Sequence, residues 1–200
     1  MTQKLSLALL LPLLNPSLAN NPAPTQSPVA TLPADQEPKC NADSLPSDIR
    51  DPIKKDFASW RIQETPLLTE HAKSYWISKH LQTCPGIAIG LFQSSTLPSY
   101  AVLLVPANLP NSAYKLIVFT RPEGKPLYEH IEVERSDDPG ASNDFIAKAI
   151  LNDVFNEETR KKLNAQAPEA ILIVDSSEQA PHTAIYFSTA AGWQHQPFDR

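Results

Sequence analysis

The sequence predicts an α+β domain: two N-terminal helices packed on a largely antiparallel sheet of six to eight strands, with a short helix before a C-terminal hairpin. Three observations carry this reading. Apolar side chains recur at helical spacing over residues 47–58 and again over 69–83. From residue 86 onward the pattern changes to short runs of Val, Ile, Leu, Phe and Tyr bounded by Pro, Asn, Gly and Ser. Most of these runs follow one another without room for the crossover helix that parallel strands require, which leaves antiparallel pairing.

Composition sets the outer limits. The 200 residues suffice for one ordinary domain, since two would leave a pair of undersized cores. Apolar residues make up 42% and charged residues 20%, which excludes a fully disordered chain, a coiled coil and a polytopic membrane protein. With 17 basic against 22 acidic side chains, the chain lacks the positive excess that a phosphate backbone demands, so no nucleic-acid partner is expected. Pro occurs 20 times and Gly five times, and the sole Met is Met1, which favours rigid loops over Gly-rich phosphate cradles or Met-rich copper sites.

The N-terminus comes first. An apolar run over residues 5–14, broken by Asn15-Pro16 and followed by Ser17-Leu18-Ala19, has the layout of a secretory signal peptide over residues 1–19. Ten apolar residues fall short of the ~20 that span a bilayer, so cleavage after Ala19 is expected to release a soluble chain into the periplasm or the medium, with no membrane insertion. Residues 20–39 carry Pro22, Pro24, Pro28, Pro33 and Pro38 among small and polar neighbours, and read as an extended tether. The folded domain then spans 40–200.

Within that domain, Ile49, Ile53 and Phe57 at i, i+4 and i+8 make one apolar helical face, while Lys54, Lys55 and Asp56 face water. Pro52 leaves two readings open: a helix from Ser47 that loses one hydrogen bond, or a shorter one capped by Asp51. Residues 60–63 form a short strand candidate. A second helix over 69–83 places Ala72, Trp76 and His80 on one stripe and stops at Cys84-Pro85-Gly86. Strands are expected over 86–93, 99–105, 113–120 and 127–134. Residues 145–151 fit helix or strand equally. Asn156 caps a short helix whose first turn holds Glu157 and Glu158 and whose last holds Arg160, Lys161 and Lys162, matching the helix dipole at both ends. Strands over 170–175, 183–188 and 192–198 end the chain, the last two as a hairpin pairing Phe187 with Trp193 and Ile185 with His195.

Two Cys in an exported chain point to one disulfide, Cys40–Cys84, because the compartment keeps such pairs oxidised. It would close a loop of about 45 residues, worth roughly 4 kcal/mol in the chain-entropy model. The rival reading makes Cys84 a nucleophile activated by His80. Zinc is disfavoured, since these two ligands have no second pair at ligand spacing, and His71 and His80 lie on opposite sides of a helix.

The segments LPSDIRDPIKKDFASW, CPGIAIGLF, SYAVLLVP, YKLIVF and FNEETRKKL, with the terminal IYF and QPFDR, resemble an exported bacterial α+β family of unknown function. The resemblance spans nearly the whole folded part, but its motifs are packing motifs and imply no reaction. It implies a strand over 145–150 and the longer first helix.

Motifs for a phosphate loop, a dinucleotide fold, a zinc protease, a nucleophile elbow and a CxxC pair are all absent. No catalytic residue and no cofactor is assigned. The best metal candidates are His130, Glu132 and Glu134, which with Tyr128 are expected to project from one strand face. Asp137, Asp138, Asn143 and Asp144 around Pro139-Gly140 offer oxygen ligands, but their spacing matches no EF-hand and reads as a turn. Trp193 and His195 are the candidates for lining a ligand groove. These residues favour a non-enzymatic exported module that binds a protein or an envelope component. The alternative is a small secreted hydrolase or metal-dependent enzyme built on His130 and Glu132.

Overall fold

The computed structural model describes residues 40, 42–80, 84–94, 96–178 and 180–198. The expected signal peptide and tether lie outside the described residues. The chain is α+β, with nine antiparallel strands in two sheets among these residues.

Helix α1 (Ser47–Asp56) buries Ile49 and Ile53 and starts at Ser47 despite Pro52, so the longer of the two readings holds. Strand β1 (Trp60–Ile62) follows, then α2 (Glu70–His80). The Thr69 hydroxyl accepts the Ala72 N–H at 3.2 Å and so caps the first turn of α2. Strands β2 (Ile87–Gly90), β3 (Ser99–Pro106), β4 (Tyr114–Thr120) and β5 (Glu129–Ser136) complete the first sheet, in which β1 and β2 both pair along one edge of β3. Where β1 and β2 meet, a Cβ on Gly86 would lie 2.3 Å from the Gln63 carbonyl oxygen, so only Gly fits.

The second sheet runs β6 (Asp144–Ile150), β7 (Glu169–Asp175), β8 (His182–Thr189) and β9 (Gly192–Pro197) in sequence order. Residues 145–150 are therefore strand, and the short helix α3 (Leu151–Val154) begins only afterwards. Helix α4 (Glu157–Leu163) is capped by Asn156, whose side chain accepts the Thr159 N–H at 2.8 Å.

One sheet of six to eight strands was the expectation; the chain instead builds sheets of five and four strands laid face to face. Their shared core holds Ala101, Leu103, Leu116 and Val118 from the first and Ile146, Ile171, Ile173 and Tyr186 from the second. The opposite face of the first sheet, Val102, Leu104, Ile117 and Phe119, packs against Ile49 and Ile53 of α1. The outer face of the second meets Ala72 and Trp76 of α2 and, further along, the residues around α3 and α4. Four layers result, helix, sheet, sheet, helix, and the two N-terminal helices cover different sheets.

Cys40 and Cys84 are disulfide-bonded, 44 residues apart in sequence. No helix among the described residues is long and apolar enough to cross a membrane.

The expected C-terminal pairing is corrected by one residue. His195 lies opposite Tyr186 and Trp193 opposite Ser188, because the hairpin closes with Thr189 facing Gly192. A slip of one position exchanges the faces. Phe187 therefore points to the α3–α4 layer while Trp193 packs on the core between the sheets.

Candidate functional site

The inner face of the second sheet is apolar along most of its length and acidic at one end. Asp144 is in phase with Ile146, and Asp175 with Ile173 and Ile171, so both aspartates point between the sheets. They are cross-strand partners. The Ser176 N–H donates to the Asn143 carbonyl at 3.2 Å, which makes Asp144 and Asp175 a pair without mutual backbone hydrogen bonds, the arrangement that brings side chains closest. His182 continues the row opposite Asp175.

Facing this row, β4 and β5 supply Tyr114, Glu134 and Ser136. Glu134 reaches the inner face through a β-bulge: the register shifts between Leu116 and Ile117, so that Glu132 lies opposite Ile117 but Glu134 opposite Leu116. One extra residue re-aims the side chain, a common use of bulges beside sites. The expectation that Tyr128, His130, Glu132 and Glu134 share one face is therefore corrected. Glu132 forms an ion pair with Lys115 on the outer face, and the His130 ring packs against Phe57 and Phe119. These contacts occupy the residues of the expected metal site and leave Glu134 on the other side of the sheet.

The result is a groove of about 610 Å³ at the end of the sheet–sheet interface, roofed by Asp138, Pro139, Gly140 and Asn143. His195 lines it and its ring lies 5.4 Å from that of Tyr186; Trp193 is not among the lining residues. The loop is held from two directions. The Thr69 hydroxyl donates to Asn143 Oδ1 at 2.8 Å, and the fully buried Gln63 donates from Nε2 to the carbonyls of Ala141 and Asp144.

The electrostatics are one-sided. Among the lining residues are Glu134, Asp138, Asp144 and Asp175 but no Lys or Arg. Burial, and secondarily the charge of Asp175, pushes the Asp144 carboxyl from its ordinary 3.8 up to about 7. Burial likewise raises the Tyr114 hydroxyl to about 12, and the Tyr186 hydroxyl is raised further, with Tyr114 and Glu134 in hydrogen-bonding reach. Asp144 is only 7% exposed, and its carboxyl has no hydrogen-bond partner among the described residues.

A larger groove, about 780 Å³, runs over the outer face of the second sheet between α2 and α3. It is more apolar and gathers no comparable set of polar groups.

Asp175 and the two tyrosines escape sequence reasoning, although a signal exists. An acid placed in phase with inward apolar residues, as in the strand ending Ile171, Ile173, Asp175, marks a polar end to a buried face.

Comparison of the chain with protein-family profiles, with curated proteins and with solved structures finds no match.

Proposed function

We propose that the chain is an exported, non-enzymatic module that recognises a protein or envelope component through the groove at the Asp144 end of the sheet interface. Residues 1–19 direct export in this reading, residues 20–39 tether the domain, and membership of the exported family that its packing motifs resemble belongs to the same proposal. The observation that carries it is the groove itself. It is concave, built by six strands of both sheets, and combines apolar flanks with convergent polar groups, which is the usual make-up of a ligand site. A disulfide of the kind found in oxidising compartments supports the exported setting.

A hydrolase is the second reading, and one observation favours it within the groove rather than at His130 and Glu132. Asp144, pushed up to about 7 mainly by burial, is the cross-strand partner of Asp175, and a carboxyl raised toward neutrality is suited to general acid–base work.

The test is binding of the folded domain to isolated envelope fractions, compared with Ser177→Trp, which places a bulky ring at the exposed rim. Loss of binding in the variant is the expected result. Binding that ignores the plug, or turnover of a bound component by the wild type, overturns the binding-module reading.

A further inference from the structure

We propose that the inner end of this groove is a subsite for an organic ammonium group, held by Asp144 and Asp175 between the tyrosines 114 and 186. The inference rests on the groove being the recognition surface and specifies what it recognises.

Acidic side chains alone would not make a site. Two features beyond them point to a ligand. The first is Asp144, nine-tenths buried, lining the cavity, with no hydrogen-bond partner for its carboxyl among the described residues. Its oxygens are not among the fully enclosed, unpartnered polar atoms of the described residues, so they open onto the groove, where a donor or a positive charge brought by a ligand reaches them. The second is the wall chemistry. The lining holds four acids, Glu134, Asp138, Asp144 and Asp175, and no Lys or Arg, and Tyr114 and Tyr186 offer aromatic surface of the kind that attracts cations.

The size of the cavity and the spacing of its acids select among cations. No group of three His, Cys, Asp or Glu among the described residues is placed to hold a metal ion, and about 610 Å³ far exceeds a bare ion. An alkylammonium fits better: its three N–H donors serve Asp144 and the second oxygen of Asp175, whose Oδ1 already accepts the Ser177 N–H at 2.9 Å, and its methylene stem lies against the tyrosine rings and Ile173. Such a group can come from a free diamine or from a lysine side chain of an envelope peptide.

Proton linkage follows. The titratable groups that line the groove with Asp144 are Asp175 from β7, Tyr114 from β4, Glu134 from β5, His182 and Tyr186 from β8, His195 from β9 and Asp138 from the loop. An entering cation favours the ionised form of Asp144, so binding near pH 7 releases protons, and affinity weakens as pH falls below this range.

The experiment is calorimetric titration of the folded domain at pH 7 in two buffers of different ionisation enthalpy. The probes are 1,5-diaminopentane, an end-blocked tripeptide with a central lysine, and that peptide with its lysine acetylated. Binding of either ammonium probe with proton release, no binding of the acetylated peptide, and a loss of about tenfold or more in both Asp144→Asn and Asp175→Asn support the subsite. The diamine or the peptide binding alone identifies the source. Equal binding of acetylated and free lysine overturns the ammonium assignment. If neither cation binds while envelope binding still responds to Ser177→Trp, the ammonium assignment fails and the groove reading stands; if envelope binding is also plug-insensitive, both fail.

Discussion

Asp144 is where the physical chemistry of this chain is most exposed to measurement. Its carboxyl is raised from 3.8 to about 7, so between those values the folded state keeps a proton that the unfolded state has released. Stability therefore falls as pH rises through this window and levels off above it. One proton carried over one pH unit is worth about 1.4 kcal/mol, which makes the whole effect on the order of 2–4 kcal/mol. Asp144→Asn removes the charge while keeping the shape. The melting temperature of this variant relative to wild type is expected to rise by roughly 5–10 °C between pH 5 and pH 8, at a few degrees per kcal/mol for a domain of this size. Parallel melting curves across that range would show that Asp144 carries no such penalty. Little of this was legible beforehand: Asp144 is grouped in the sequence with Asp137, Asp138 and Asn143, and the group reads as a turn. What the sequence does not carry is that Gln63, 81 residues away, donates to the Asp144 carbonyl and holds the loop over the cavity.

At the scale of elements, the tightest constraint is the junction of β1 and β2 on the edge of β3. The Gln63 N–H donates to the Leu103 carbonyl and the Leu103 N–H to that of Gly86, each at 2.9 Å, leaving no space for a side chain at position 86. Gly86→Ala is expected to destabilise the fold by about 1–3 kcal/mol, the cost of forcing an extra carbon into a packed site, read as a lowered urea midpoint. An unchanged midpoint would mean the junction opens freely. The helices and most strands were readable because their periods are strong: Ile49, Ile53 and Phe57 admit one face, and Asn156 with its acidic first turn admits one start. Strand registers were not. The alternation from Tyr128 to Glu134 continues unbroken in sequence, and only pairing with β4 inserts the bulge that turns Glu134 inward. The same holds for the hairpin, where a one-residue difference in turn closure decides whether Phe187 shares a face with Trp193 or points to the opposite one.

For the whole molecule, the decisive feature is that the first sheet is buried on both faces. The runs Ala101 to Val105 and Leu116 to Phe119 are fully buried without alternation, the pattern of a sheet with layers on either side. That pattern was visible in the sequence and points to a second covering layer; that the layer is another sheet depends on contacts distant in sequence. The four-layer arrangement also explains the groove. Two sheets packed on apolar centres meet polar residues at one end, where Tyr114, Glu134, Asp144 and Asp175 line one groove that holds no Lys or Arg among the described residues. The disulfide pins residue 40 to residue 84, next to the strand that begins at Ile87, and stabilises the fold by limiting the unfolded chain. The most direct measurement is a carboxyl-resolved NMR titration of Asp144 in the intact folded domain, assigned with Asp144→Asn. The midpoint is expected near 7 in the free protein and lower once 1,5-diaminopentane is added. A midpoint near 4, unmoved by the diamine, would contradict a buried, unpartnered acid at the heart of the groove.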